Sequence, residues 1–268
     1  MAGVVVHVRP AAESLIHRSV PPLEPHGSRA KAPYGTGGGR PLLQAASHGD
    51  ATPSPLFFVP APSVTTDIHQ LRQCLRARRR GLSVAEQRRA ALVVASRLME
   101  WPVVAGAPRV AGYWACEGEL DPAPLLEQVW AMGKPVYLPV LADTPPRSLQ
   151  FAPFRPGAPM RRNRFDIPEP EASPAEWLHP SELDLVLAPL VAFDPAGTRL
   201  GMGGGFYDRS FAFLRDPDYR GHRPRLLGLG YDFQQVAELI RQPWDVPLDA
   251  AATESALYVF SGMVGGEA

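Results

Sequence analysis

The sequence predicts a three-layer α/β fold: a mainly parallel sheet with mixed edges, covered by helices on both faces, in a Rossmann-like single domain. Three observations lead there. From Arg109 onward, short apolar β-rich runs alternate with helical segments, the pattern of βα units and a parallel sheet. The run at residues 184–193 is bounded by the turn Asp194-Pro195-Ala196-Gly197 and reads as a buried central strand. Behind it, four glycines in the five positions 201–205 open a short helix, where such a sheet takes its ligands. The chain of 268 residues, 45% hydrophobic, is long enough for one such domain with a sizeable core, plus something extra.

The extra part is at the start. Pro10, Pro21-Pro22, Pro25, Gly37-Gly38-Gly39, Pro53, Pro55, Pro60 and Pro62 interrupt every candidate period. Such a segment buries too little apolar surface to offset its ordering entropy, so residues 1–66 are expected to be a disordered extension. Leu56-Phe57-Phe58-Val59 is too short and too far from the start to be the apolar core of a signal peptide. No methionine lies between Met1 and Met99, which motivates the hypothesis of an alternative start codon near Val64. Peptides from residues 10–50 in the native protein would sink it. The ordered domain is expected over residues 67–262, with a flexible terminus at 263–268.

Within that domain, Thr66 or Asp67 caps a helix through Leu71, Leu75 and Arg78. Its other face carries Arg72, Arg76, Arg78, Arg79 and Arg80, and reads for the most part as a solvated basic face. Gly81 ends it. Ser83-Val84-Ala85-Glu86 is a capping box for a second helix with one apolar stripe, stopped by Pro102. Residues 110–116 read as a strand and Glu117-Gly118-Glu119 as a loop. Asp121-Pro122 starts a helix ending at Gly133, and residues 135–141 form the next strand. Leu149–Phe154 reads as an edge strand because of its proline. Residues 155–180 read as irregular. Residues 206–214 read as a helix, 226–231 as a strand, 234–240 as a helix and 256–260 as a last strand.

Composition removes several functions. Basic and acidic side chains number 27 each, so no net charge drives general binding to nucleic acid or membranes. Cys74 and Cys116 form neither a disulfide framework nor a metal-ligand spacing, which fits a reducing, cytoplasmic setting. No apolar run has the length needed to span a bilayer.

The glycine loop carries the chemistry. Bare backbone N–H groups at a helix start hold phosphate oxygens, and glycines remove the Cβ atoms that would block the approach. The loop lacks the Gly-Lys-Ser/Thr ending of a P-loop and the dinucleotide spacing. On the glycines alone, a flexible turn with Asp208 as a helix cap reads equally well. Asp208 is also placed to hold a metal ion on the same phosphates, and Asp245 either joins it or caps a turn. Glu119, the loop and Asp232 each follow a strand, so all three are expected at one edge of the sheet.

Residues 189–194 and the run Gly197-Thr198-Arg199-Leu200-Gly201-Met202-Gly203-Gly204-Gly205-Phe206-Tyr207-Asp208-Arg209 closely resemble the signature of 5-formyltetrahydrofolate cyclo-ligases, also called methenyltetrahydrofolate synthetases. The resemblance extends over residues 68–258. It takes in the Leu71-Arg72 helix, the Glu119 loop, Ile167-Pro168-Glu169-Pro170 and Trp244-Asp245-Val246-Pro247-Leu248. It implies that the domain binds ATP and 5-formyltetrahydrofolate, polyglutamylated or not, as a monomer, with Mg2+ as cofactor. It implies ATP contacts from Arg72, Arg199, Leu200, Gly201, Met202, Gly203, Gly204, Gly205, Phe206 and Tyr207. Of these, Arg199, Gly203, Gly204 and Tyr207 would be catalytic. Trp114, Glu119 and the stretch Met202, Gly203, Gly204, Gly205 and Phe206 would border the folate, and Asp208 and Asp245 would bind magnesium. The chain departs from the family pattern in two places: Ile68 stands where a lysine or arginine is frequent, and Trp244 where histidine is common.

The implied reaction joins ATP and 5-formyltetrahydrofolate to give 5,10-methenyltetrahydrofolate, ADP and phosphate through an iminium phosphate. It needs positioning and charge neutralisation and no protein nucleophile, so Cys116 reads as a core residue. The run Arg161–Arg164 reads as a solvated loop, with the glutamate tail of the folate as the sharper alternative. Two other functional classes remain. A non-catalytic folate or nucleotide module would leave both ligands intact. An RNA-binding role for the basic first helix would show steep salt dependence, lost on replacing Arg76, Arg78, Arg79 and Arg80.

Overall fold

Asp67 opens the ordered domain as the sequence suggests: its side chain accepts from His69 N at 2.9 Å and starts α1, Ile68–Arg80, which Gly81 closes. The computed structural model describes residues 4–6, 67–142 and 148–260. Ser83 and Glu86 form the capping box of α2, Val84–Met99. Pro102 stops that helix and also starts α3, Pro102–Gly106, because proline is tolerated where a helix has no N–H to pair. The fourth helix, α4 at Ala123–Ala131, begins behind Asp121, whose side chain accepts from Ala123 N at 2.9 Å.

The strands are β1 Val4–Val6, β2 Val110–Ala111, β3 Val136–Leu141, β4 Leu149–Phe154, β5 Met160–Arg162, β6 Pro168–Pro170, β7 Leu185–Pro189, β8 Ala192–Phe193, β9 Arg199–Leu200, β10 Arg225–Leu229, β11 Ala250–Ala252 and β12 Leu257–Val259. The main sheet runs in the order β1-β12-β11-β10-β7-β2-β3-β4. Its five inner strands, β11 to β3 in that order, pair in parallel. Antiparallel strands close both edges, with β12 and β1 on one side and β4 on the other. The mixed-edge, mainly parallel sheet is therefore the one expected.

Period-two alternation splits the core. Leu185 and Leu187 of β7 point with Leu227 and Leu229 to a cluster that takes Val94 and Leu98 from α2 and Leu125 and Val129 from α4. Val186 and Ala188 point the other way, to Phe151, Phe211, Val246 and Leu248. A third cluster sets Leu75 of α1 against Val191, Ala192, Leu200 and Leu239. The first helix thus sits on the β8–β9 hairpin, at the carboxyl end of β7.

Several expectations fail. Residues 234–240 form no helix: a 3-10 turn at Asp232–Gln234 is followed by chain tied to the hairpin, Val236 N donating to Phe193 O at 2.9 Å and Leu239 N to Asp194 Oδ2 at 2.9 Å. Residues 155–180 are not irregular throughout, because β5 and β6 pair into an antiparallel ribbon. The strand at 110–116 is cut to two residues. Val4–Val6 pairs with β12, so the expectation of an unstructured extension fails at those three residues. The rest of residues 1–66, and the terminus at 263–268, lie outside the described residues.

Candidate active site

The glycine loop does not leave the central strand directly. A hairpin, β8–β9, comes between, and buried Asp194 holds its turn: Oδ1 accepts from Ala196 N at 3.0 Å and Thr198 N at 2.9 Å. This presents Arg199 at the start of the loop. Its side chain, 4% exposed, pairs with Asp208 Oδ1 at 2.9 Å, and its guanidinium lies 5.1 Å from the centre of the Tyr207 ring. Asp208 Oδ1 also accepts from Val246 N at 3.2 Å, which puts Asp208 beside Asp245. Arg72 of α1 donates from Nε to Gly201 O at 3.0 Å and so fixes the loop itself. At Gly203 the backbone is left-handed, φ 94°, and a Cβ there would meet nothing within 4 Å. Two buried polar atoms on this wall, Arg199 Nε and Tyr207 Oη, have no hydrogen-bond partner among the described residues. Burial pushes the Tyr207 hydroxyl far above its usual range, so it stays a donor at neutral pH.

The facing wall is the turn Glu117-Gly118-Glu119, and the arginines of α1 build it. Arg76 donates to Glu117 Oε2 from Nε at 3.1 Å and Nη2 at 2.6 Å. Those bonds hold the Glu117 carboxyl below its usual range. Arg80 lies 3.9 Å from the same carboxylate, and Arg78 stacks over the Phe233 ring at 4.3 Å. Arg79 is not solvated: only 1% of it is exposed. The reading of a solvated face is thus corrected at Arg79, while Arg78 and Arg80 stay exposed and Arg76 half-buried, each also in contact with a group of the chain. Glu119 itself is 7% exposed, accepts from Cys116 N at 3.2 Å and stands 3.5 Å from Arg79 Nη1. Burial raises its carboxyl above the usual range, against the pull of Arg79. The Cys116 thiol is pushed up to about 12, first by burial and then by Glu119, so it stays protonated at neutral pH; it is half-buried on the cleft, and the reading of Cys116 as a core residue is corrected.

Between these walls lies a cleft of about 1540 Å³. It brings together Arg72, Trp114, Glu119, the whole stretch Arg199 to Asp208, and Asp245. Asp232 is not on it. Its Oδ2 accepts from Ser255 Oγ, on the side where Glu254 accepts from Asp232 N. Sequence reasoning missed the roof. The β5–β6 turn carries Phe165, 53% exposed, which meets Phe206 edge-on with ring centres 5.8 Å apart. Asn163 shapes that turn by accepting from Phe165 N at 2.8 Å and Ile167 N at 3.2 Å, and donates to buried Glu169 Oε1 at 2.9 Å. The signal was present as an Asn-Arg-Phe-Asp turn between two polar-alternating runs, but the flanking prolines hid it. Arg161 and Arg162 of this ribbon pair with Glu169 and Asp166 at 3.9 and 3.1 Å.

The model of the 5-formyltetrahydrofolate cyclo-ligase family matches residues 64–254, most of the chain and every cleft residue named above. The chain belongs to that family. The 5-formyltetrahydrofolate cyclo-ligase of Escherichia coli strain K12 is 40% identical over 184 residues, which cover 69% of this chain and 98% of the relative. The Haemophilus influenzae relative of the same name is 38% identical over 179 residues, 67% of this chain and 93% of its own. Among solved structures, the Aquifex aeolicus 5,10-methenyltetrahydrofolate synthetase superposes with a TM-score of 0.61 at 29% identity, covering 75% of this chain and 96% of that one. The two departures from the cyclo-ligase pattern sit on the cleft as apolar groups: both Ile68 and Trp244 line it. His69, the neighbour of Ile68, turns to Gln73 at 3.2 Å instead. Among the described residues, no helix is long and apolar enough to cross a membrane.

Proposed function

We propose that this chain closes 5-formyltetrahydrofolate to 5,10-methenyltetrahydrofolate, as its relatives' names indicate for them, and that it does so with ATP. The observation that carries the ATP part is the pair of donors without a partner among the described residues, Arg199 Nε and Tyr207 Oη, buried beside a loop that is bare at Gly201 and Gly203. Buried donors without partners are costly, and a phosphate in the cleft would satisfy both. In the reaction the formyl oxygen attacks the γ-phosphorus and the bond to ADP breaks. N10 then attacks the formyl carbon, loses its proton, and phosphate leaves with the oxygen. Arg199, Tyr207 and the amides of Gly203 and Gly204 would bind and orient the transferring group. Trp114 and Phe206 would border the flat ring of the folate, and Glu119 would accept its N–H donors.

Magnesium fits this wall in a limited way. Among the described residues no group of three or more His, Cys, Asp or Glu side chains stands together as a metal site. Asp208 and Asp245, adjacent on the cleft, match a cation held by one or two carboxylates and shared with nucleotide phosphates. Bound there, it would neutralise phosphate charge. The test is to mix folded protein with 5-formyltetrahydrofolate, ATP and magnesium and follow the absorbance of the methenyl product. Absence of an ATP-dependent signal rejects the proposal. Intact ligands after long incubation would favour a binding module.

A further inference from the structure

We propose that Arg79 is a positioning residue for the folate half of the cleft, holding the Glu119 carboxylate in place and in its charged form. The inference rests on the reading of Glu119 as the folate-binding carboxylate.

Arg79 Nε donates to Glu117 O at 3.0 Å and Nη1 to Leu190 O at 3.3 Å, so the guanidinium is clamped between two backbone carbonyls. From that fixed position Nη1 stands 3.5 Å from Glu119 Oε1, while Nη2 makes no hydrogen bond among the described residues and lies 4.0 Å from Glu117 Oε2. Glu119 Oε2 is held by Cys116 N; Oε1 accepts no hydrogen bond among the described residues and meets only Arg79. The turn is fitted to the helix at backbone level as well. Gly118 has φ 75°, and a Cβ on it would lie 2.8 Å from Arg79 O. Tyr231 Oη donates to Gly118 O at 3.2 Å from the far side.

Chemistry supplies the reason. An ionised carboxylate only accepts, and its two oxygens match two adjacent N–H donors of a flat heterocycle; a neutral carboxyl loses one acceptor. The groups facing Glu119 are Arg79 from α1, Cys116 and Glu117 from its own turn, and Tyr113, Tyr207 and Tyr231 from three other segments. Among these Arg79 is the nearest cation, and burial works against the charge. Without Arg79, Glu119 takes up a proton at a higher pH, so binding should fail at low pH and return as pH rises.

The experiment is calorimetric titration of 5-formyltetrahydrofolate, without ATP, into wild type, R79M and R79K across mildly acidic to mildly alkaline pH. Wild type and R79K are expected to lose affinity only toward the acidic end, because burial already raises the Glu119 carboxyl, and at lower pH than R79M. R79M should bind about tenfold or more weakly at the acidic end, as a carboxyl shift of about one unit implies, and approach wild type at the alkaline end. ATP affinity should not move. A loss in R79M that is equal at all pH values, or that weakens ATP binding as much, overturns the inference. If R79M does not fold, thermal melting of R79M/E119Q decides. Removing both members of a buried pair is milder than removing one, so the double variant should regain folding. A double variant no better folded than R79M also overturns it. Wild-type turnover is untouched by either result, so failure here is distinct from failure of the proposed function.

Discussion

The two walls of the cleft are made by opposite means. The glycine loop wall is bare backbone with charged groups behind it: Gly201 and Gly203 face open space, and Arg199 and Asp208 stand beneath. The Glu119 wall is side chain on side chain, a buried carboxylate reached by a buried arginine forty residues earlier in the chain. The first wall would suit a polyanion because no side chain stands over Gly201 or Gly203. The second can meet a neutral ring with N–H donors because one charge is kept and surrounded. The contrast teaches that a glycine has opposite duties on the two sides. Gly201 opens onto the cleft with nothing within 4 Å of a Cβ there, and Gly118 leaves room for the protein's own helix.

Four measurements break or sharpen this contrast. The largest effect is expected from Arg199→Met, which removes a buried donor and strands Asp208: kcat should fall by about 10²–10³ with the fold intact by circular dichroism. A loss under about tenfold would take the transferring phosphate away from this wall. Asp208→Asn comes next. Its amide oxygen still accepts from Arg199 and Val246 N, so stability should drop by about 1–2 kcal/mol in denaturant melts. The concentration of magnesium–ATP needed for half-maximal rate should rise by tenfold or more, about 1.4 kcal/mol or above. Equal losses in both would reduce Asp208 to a structural ion pair.

The third measurement sets the two glycines against each other. Gly118→Ala places a methyl 2.8 Å from Arg79 O at a left-handed position, so stability should fall by about 2 kcal/mol or more. Gly201→Ala meets no atom within 4 Å, so its melt should stay within about 0.5 kcal/mol while ATP binds about tenfold more weakly. The reverse pattern would exchange the roles of the walls. The smallest effect is chemical. Iodoacetamide at mildly alkaline pH should label exposed Cys74 and spare Cys116, whose thiol stays protonated with its pKa near about 12. Labelling of Cys116 detected by mass spectrometry would show that burial and Glu119 do not keep its thiol protonated.

How much of this could be read beforehand depended on distance along the chain. The loop residues 199–208, the Asp67 cap and the Ser83–Glu86 box were legible because each is settled within a few positions: a cap needs a side-chain oxygen two or three residues from the N–H it takes. Strands β3, β4, β7 and β10 were legible because alternation and length sufficed. The helix expected at 234–240 failed because Phe193 O and Asp194 Oδ2, some forty residues away, take its N–H groups. The burial of Arg79 on the basic face of α1 was missed likewise, since a helical period shows which residues share a face and not what that face meets.

The sequence by itself therefore determined the α/β class, the glycine loop and the residues that line one wall, because these follow from local backbone preference and side-chain chemistry. Only the tertiary structure decided that Arg79 is buried against Glu119, that Asp232 turns away, and that a β-ribbon roofs the cleft. Those outcomes rest on pairings between distant segments, where burial sets whether a charge is solvated, paired or presented to a ligand.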